Sequence, residues 1–454
     1  MKPKLSLVLL ATVVVAAVVA LDIAGQTTPT FHSWARKPPM GWNSWDSFAT
    51  TVTEAQTRAQ AAFMAERLKR YGWQYVVVDI QWYEPEAKGY DYRKDAKLEM
   101  DQWGRLWPAV NRFPSAANGI GFKALAEYIH RRRLKFGVHL MRGIPRQAVA
   151  QDTSVKGTRF RAADIADKTS TCAWNTDMYG VDMSKPGAQE YYNSVFDLFA
   201  QWGVDFVKVD DISRPYHRAE VEAIRKAIDR TRRPMVLSLS PGETPLSAGP
   251  HVLQHANMWR VSDDFWDTWP ALLEQFERLR NWTEFRGAGH FPDADMLPLG
   301  RLDMGRRTTR FTQDEQYTLM TLWSIARSPL IIGGDLTKTS DLPLSLLTNE
   351  EVIAVDQESS GNRQLFRENG VVAWIADVPN SHDKYLAVFN TNDPPRATGS
   401  ESLKATIKLS ELGFTGMCRV RDLWRKRELG VFKEEIAMAI NWHGAGLYRV
   451  SNRQ

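Results

Sequence analysis

Cysteine is scarce in this chain: Cys172 and Cys418 are the only two in 454 residues. They fall in segments that read as different domains, so a disulfide framework is excluded as the organising principle. Past the first twenty residues no run is apolar and long enough to span a bilayer, which takes about 20 residues. Nor is there a basic run with interleaved aromatics. The net charge of +5 is spread along the chain. Its local clusters, Arg131-Arg132-Arg133 and Arg232-Arg233, sit where amphipathic helices end, positions that favour cations. Nucleic acid is therefore not an expected partner. No His/Asp cluster shows metal-ligand spacing, so neither a metal nor another cofactor is expected. Internal repeats and low-complexity segments are absent. Hydrophobic residues make up 43% and charged residues 24%, a globular balance, and the length exceeds what one compact domain needs.

The N-terminus carries the one long apolar run. Lys2 and Lys4 precede Leu5–Ala20, and small residues follow near Ala20, Ala24 and Gly25. This is the pattern of a signal peptide over residues 1–25. It implies a secreted or periplasmic protein with no stable membrane insertion after cleavage; an uncleaved anchor is the competing reading.

After it, short apolar runs ending in polar or acidic residues alternate with helical patterns. The runs are Met40–Trp45, Tyr75–Asp79, Lys135–Leu140, Phe206–Asp210, Met235–Ser240, Met258–Ser262, a segment around Gly289–Asp295, and Ser328–Gly333. Between them lie Glu54–Tyr71, Phe122–Arg133, Ala188–Trp202, Glu220–Arg230 and Trp269–Leu279. Eight such units over residues 33–356 predict an α/β fold, a (β/α)8 TIM barrel, whose chemistry sits at the C-terminal ends of its strands. Beyond Asp356 the helical pattern stops. Val371–Ile375, Lys384–Phe389, Ala405–Leu409, Cys418–Leu423, Glu435–Ile440 and Gly446–Val450 read as strands, predicting a C-terminal antiparallel β-sandwich domain over residues 360–454.

Two segments carry the chemistry. In Phe206-Val207-Lys208-Val209-Asp210, Lys208 and Asp210 share one strand face. A buried Lys and Asp are costly unless paired or used. Trp259-Arg260-Val261-Ser262-Asp263 supplies a second carboxylate at a second strand end. Two carboxylates in distinct environments are what a retaining glycosidase requires: one stays ionised to attack the anomeric carbon, and the other carries the proton for the leaving oxygen.

These segments, together with Pro38-Pro39-Met40-Gly41-Trp42-Asn43-Ser44-Trp45, Trp73–Asp79, Pro292-Asp293-Ala294-Asp295-Met296-Leu297 and Ser328–Asp335, occur in an order that resembles glycoside hydrolase family 27, the α-galactosidases and α-N-acetylgalactosaminidases. The resemblance covers nearly all the chain after the signal. It implies a retaining exo-glycosidase acting on terminal α-D-galactosides of oligo- or polysaccharides. Asp210 would be the nucleophile, held ionised by Lys208. Asp263 would be the general acid and then the general base, with the adjacent Asp264 as its rival, since neighbours on a strand face opposite ways. Arg260 would bond a sugar hydroxyl or else pair with Asp264 or Asp267. Trp42 would pack against the sugar ring, or be a core Trp. Asp79 would accept from sugar hydroxyls, Asp295 would bind near C2 with Met296 beside it, and Asp293 would bind or cap a turn.

Four departures qualify this. Family α-galactosidases carry two consecutive Asp at the second strand end, where this chain has Asp79-Ile80. A hydroxyl facing Ile80 loses a partner worth about 1–3 kcal/mol, a cost that L-arabinopyranose, lacking C6, does not meet. A β-L-arabinopyranosidase is thus the alternative, unless Ile80 merely packs. His139 stands where many relatives have Tyr; it either donates to a sugar hydroxyl or is a satisfied core histidine. Small residues from Ser240 leave space near the C2 substituent. Cys172 is expected to be a free thiol. A catalytically inactive sugar-binding protein is the remote alternative, and the presence of both acids argues against it.

Overall fold

Each of the eight apolar runs becomes a parallel strand in the computed structural model, which describes residues 29–394 and 402–453; the expected signal peptide lies outside the described residues. The strands are β1 (Met40–Asn43), β2 (Tyr75–Val78), β3 (Lys135–Met141), β4 (Phe206–Asp210), β5 (Val236–Leu239), β6 (Met258–Arg260), β7 (Phe291–Asp293) and β8 (Leu330–Ile332). They pair in the order β7-β6-β5-β4-β3-β2-β1-β8. The remaining seam closes just past β7, where the Leu297 amide donates to the Ile331 carbonyl at 2.7 Å and the Gly333 amide donates to the Leu297 carbonyl at 3.0 Å. The α/β barrel expected from the alternation is the observed fold.

Strand alternation sorts the lumen by depth. Tyr75, Val77, Phe206, Val236 and Met258 form an apolar plug at its base, closed from below by Ala35. Two residues further along the same strand faces come Asp79, Lys208, Ser238 and Arg260. Gly137 makes the plug possible: a Cβ there would stand 2.8 Å from Val77 Cγ2 and 3.1 Å from Phe206 Cβ. The barrel interior is thus packed at the bottom and polar at the top.

Five helices follow the expected stretches, α1 (Glu54–Phe63), α2 (Lys123–His130), α3 (Ala188–Trp202), α4 (Arg218–Thr231) and α6 (Trp269–Asn281), and two were not expected, α5 (Gly249–His255) and α7 (Gln313–Ala326). A capping box between Thr53 and Gln56 starts α1. Arg131–Arg133 follow the end of α2, and Arg232 ends α4, as the charge pattern implied. Helix α7, which the apolar periodicity does not single out, is buried on nearly every side and so lacks an amphipathic stripe.

The second domain has a six-stranded antiparallel sheet and a two-stranded one. The first comprises β9 (Ser360–Glu368), β10 (Val371–Asp377), β11 (Lys384–Asn390), β13 (Cys418–Asp422), β14 (Arg427–Phe432) and β16 (Ala445–Asn452). The second pairs β12 (Ser402–Lys408) with β15 (Glu435–Asn441). Strands β9 and β14 were not expected: they are half-exposed and show no clean alternation. On β10, Val372, Trp374 and Ala376 belong to one apolar core with the barrel helices, while Ala373 and Ile375 face the second sheet. Phe276 of α6 meets Phe389 of β11 edge-on at 4.9 Å, and the Arg327 guanidinium donates to the carbonyls of Asp356 (2.8 Å) and Ser359 (2.7 Å). Both cysteines are free and buried.

Because one apolar core runs across the domain boundary, barrel and sandwich should unfold together. Phe389→Ala is expected to cost about 3–5 kcal/mol in denaturant titration while keeping a single transition. A barrel transition unmoved by the substitution would show the two domains to be independent.

Candidate active site

Lys208 lies at the centre of the polar end of the lumen. Its Nζ stands 3.0 Å from Asp79 Oδ2 and 3.6 Å from Asp210 Oδ2. Asp79, immediately after β2, also accepts from Asn43 Nδ2 (2.6 Å) and from the Ile80 amide (2.8 Å). His139 is in register with Lys208 on the neighbouring strand, and its Nε2 lies 2.9 Å from Asp210 Oδ2. His139 is therefore a partner of Asp210, which neither expected reading had anticipated. Burial pushes the Asp210 carboxyl up, but the Lys208 ammonium, His139 and the Ser240 hydroxyl outweigh it and hold the carboxyl well below the usual range. For Lys208 burial works against the charge, and Asp210 and Asp79 more than restore it. Both contacts use Oδ2, leaving Asp210 Oδ1 outside them. Asp79, His139 and Asp210 bring ligand-type atoms within 4.8 Å of one another, but the ammonium of Lys208 already supplies the cation there.

A second cluster forms around Arg260 at the end of β6. One guanidinium nitrogen, Nη2, reaches Asp295 Oδ2 (2.7 Å), the Asp263 carbonyl (2.6 Å) and Asp264 Oδ1 (3.3 Å). Nη1 lies 3.5 Å from Ser240 Oγ. Asp295 adopts a left-handed φ of 84°; its Oδ2 accepts from the Phe265 amide at 2.7 Å. Its amide donates to Asp293 Oδ1 at 2.9 Å, so Asp293 does hold the turn. Burial, with Asp264 and Asp293 adding to it against Arg260, pushes the Asp295 carboxyl up to about 7. Met296 lines the same small cavity as Lys208, Arg260, Asp293 and Asp295.

The two consecutive acids diverge. Asp263 turns to the rim, where its Oδ1 takes Arg214 Nη2 at 2.6 Å and its side chain stays 61% exposed. Asp264 faces the cluster: besides its bond to Arg260, its charge helps hold Lys208 protonated and helps raise the Asp295 carboxyl. Asp263 is the expected acid and Asp264 its rival; the structure joins the Asp264 carboxylate to Arg260 and pairs the Asp263 carboxylate with Arg214 at the rim. Strand β6 ends at Arg260, so both acids lie in the loop beyond it.

Trp42 is a core tryptophan. It has no exposed surface, its indole N–H donates to the Gly334 carbonyl at 2.9 Å, and it packs on Phe48, so it has no face to offer a sugar. The partly exposed aromatic is Trp45, three residues on. It stacks on Tyr92 (6.1 Å, 8°) and meets Tyr90 edge-on; Tyr92 contacts Trp174, and Tyr90 contacts Trp266. Both Trp in Trp42-Asn43-Ser44-Trp45 were visible, and strand parity alone does not choose between them once the second lies beyond β1. Ile80 is 1% exposed and belongs to the apolar core.

Comparison with known proteins supplies the context. Residues 37–185 and 175–358 match the family described as alpha galactosidase A, and residues 368–450 match the alpha galactosidase C-terminal beta sandwich domain. A β-L-arabinopyranosidase of glycoside hydrolase family 27 from Geobacillus stearothermophilus is 50% identical, with a TM-score of 0.91 over 94% of this chain and 99% of that one. A variant of that enzyme in complex with arabinose superposes with the same TM-score of 0.91 and 50% identity over 94% of this chain and 100% of that one. Alpha-galactosidase 2 of Arabidopsis thaliana is 25% identical over 92% of this chain and 91% of its own length.

Lys208→Met removes the counter-charge of two buried carboxylates and is expected to cost about 3–5 kcal/mol. Asp210 has a depressed folded-state pKa, so its contribution is present above the ordinary Asp pKa of about 3.9 and is lost as pH falls below it. The stability gap between wild type and variant, measured by denaturation across pH, should be full at pH 7 and narrow below about pH 4. A gap independent of pH would refute the coupling.

Proposed function

The chain belongs to the alpha galactosidase A family and is a glycoside hydrolase of family 27, and we propose that it is a retaining exo-glycosidase with β-L-arabinopyranosides as its preferred substrates and α-D-galactosides as the lesser ones. The observation that carries this reading is the end of β2, where Asp79 stands alone. Its carboxylate already serves Lys208, Asn43 and the Ile80 amide, and the next side chain is an apolar one embedded in the core. Position 80 offers no second carboxylate for the O6 side of a galactoside, whereas a sugar without C6 needs none. The likeness at 50% identity to a β-L-arabinopyranosidase supports the same reading. The α-galactosidase reading, which the resemblance alone placed first, is favoured by relatives such as the Arabidopsis enzyme.

The reaction runs as a double displacement. Asp210, ionised and oriented through Oδ2, attacks the anomeric carbon with Oδ1. The glycosidic C–O bond breaks as Asp264, which takes up a proton before the step, passes it to the leaving oxygen. Asp264, now a carboxylate, takes a proton from water, which displaces Asp210 and releases the sugar with net retention. Arg260 and Asp295 hold the loop that carries Asp264. The rim aromatics around Trp45 pack against C–H faces of the glycoside. In this assignment Asp264 replaces Asp263 as the acid, because the Asp264 carboxylate bonds Arg260 whereas that of Asp263 pairs with Arg214.

Aryl glycosides test both parts. Asp264→Ala should slow substrates with poor leaving groups far more than nitrophenyl glycosides, with azide rescuing turnover, while Asp263→Ala retains the wild-type dependence; the reverse pattern would return the role to Asp263. Nitrophenyl β-L-arabinopyranoside should be hydrolysed with a higher kcat/KM than nitrophenyl α-D-galactopyranoside. Ile80→Asp should shift that ratio toward the galactoside by roughly 5- to 150-fold, the equivalent of about 1–3 kcal/mol. A ratio unchanged in folded variant protein would remove position 80 from the specificity argument.

A further inference from the structure

A side-chain cluster of a different kind lies outside the candidate active site, where α4 meets α5. Glu222 projects from α4, and His251 and His255 project from α5. One ligand-type atom from each lies within 4.8 Å of the other two. The histidines are four residues apart, one above the other on a helix face, and their rings stack at 4.0 Å with a 22° tilt. His251 Nε2 stands 3.0 Å from Glu222 Oε1. Donors on a tetrahedral zinc ion at about 2.0–2.2 Å lie roughly 3.3 Å from one another, so that pair is already spaced for a shared ion.

The outer hydrogen bonds fix which nitrogens are available. His255 Nδ1 lies 2.8 Å from the His251 carbonyl oxygen. A carbonyl only accepts, so Nδ1 carries the proton and the Nε2 lone pair is open. His251 Nδ1 lies 2.6 Å from the Tyr216 hydroxyl, which can accept its proton and leave Nε2 as the donor atom toward Glu222. An imidazole with Nδ1–H tied to an oxygen and Nε2 turned to a carboxylate is the arrangement that second-shell contacts impose on metal-bound histidine. His251 is 7% exposed, so its ring is held in place by its surroundings. Among the described residues the cation paired with Glu222 is the exposed Arg218, whose Nη1 is 4.0 Å from Glu222 Oε1.

We propose that Glu222, His251 and His255 form a binding site for a divalent transition-metal ion of the zinc type, with water completing four-coordination. Two imidazoles and one carboxylate suit zinc, nickel or copper and disfavour magnesium or calcium. The ion would join α4 to α5 and, through Tyr216, to the loop after β4 that also carries Arg214, the partner of Asp263. It is thus a latch between two helices, made of residues outside the candidate active site. Sequence reading had expected no metal, because the three ligands are spread over two helices and the i, i+4 histidine pair stands without a neighbouring acid in sequence.

The test uses the full-length protein freed of metal with a chelator. Zinc chloride titrated by calorimetry should bind at one equivalent with a Kd below about 10 μM and raise the Tm in a concentration-dependent way. His255→Ala and Glu222→Gln should each weaken binding at least about 10-fold and abolish the Tm rise, while kcat/KM on aryl glycosides stays at the wild-type value. X-ray absorption of the zinc-loaded protein should show two imidazoles in the first shell. Absence of saturable binding in this range overturns the proposal, as does binding of undiminished strength in both variants. Because the readouts are heat, Tm and absorption, they stand or fall independently of the substrate assignment.

Discussion

One ammonium group holds the catalytic end of this barrel together. Lys208 stands between Asp79 and Asp210, at 3.0 and 3.6 Å, and without it two carboxylates would be buried at the polar end of the lumen with no buried cation beside them. Arg260 repeats the arrangement around Asp295 and Asp264. The acids still outnumber the two cations, since Asp46 and Asp293 lie in the same region, and the excess shows in their protonation. Burial, compounded by neighbouring carboxylates, raises Asp46 well above the usual range and Asp295 to about 7. Asp210, with both Lys208 and His139, is the acid held low. An oxocarbenium-like transition state carries positive charge on the sugar, and a preorganised, ionised Asp210 carboxylate would stabilise it more than it does the neutral glycoside.

The barrel makes this arrangement affordable by confining it to one layer. Phe206, Lys208 and Asp210 lie on one face of β4, stepping from plug to mouth, and Met258 and Arg260 do the same on β6. The apolar layer beneath excludes water from below, while Gly137 gives Phe206 the room to fill it. The sandwich domain stiffens the outside: its larger sheet shares a core with α6 and α7, so the helices behind β6, β7 and β8 are clamped on both sides. That is the wall from which Arg260, Asp293 and Asp295 project.

The barrel was legible in the sequence because its strands are short apolar runs with an acid or turn at the end, and its helices carry clear stripes and caps. Lys208 and Asp210 were legible for the same reason: strand parity fixes both at once. Legibility failed where parity stops. Trp45, Asp263 and Asp264 lie beyond strand ends, where a one-residue difference reverses the direction of a side chain; there the expected sugar platform was the buried Trp42, and the choice between the two acids was open to the same one-residue ambiguity. His139 was placed correctly on β3, yet its partner Asp210 is on another strand, and cross-strand register is not written in local spacing. Strands β9 and β14 escaped because edge strands with exposed faces lose the period of two. The Glu222–His251–His255 cluster escaped because it is assembled across two helices.

The contrast between Asp210 and Asp264 follows from the double displacement proposed for them. A nucleophile must attack without water competing for the same carbon, and Asp210 is buried, with one oxygen fixed by His139 and Lys208. An acid that must next serve as base needs solvent access to deliver a proton and then to activate water, and Asp264 is half-exposed at the mouth. Exposure alone would leave it mobile. Its backbone is instead pinned on both sides: Arg260 bonds the Asp263 carbonyl, and Asp295 accepts from the Phe265 amide. Since Arg260 and Asp295 are also bonded to each other, the general acid rides on a buried ion pair rather than on a free loop. Its reach to the leaving oxygen is thus set by the barrel before substrate arrives, which is how proximity lowers a barrier without an ordering cost at the moment of reaction.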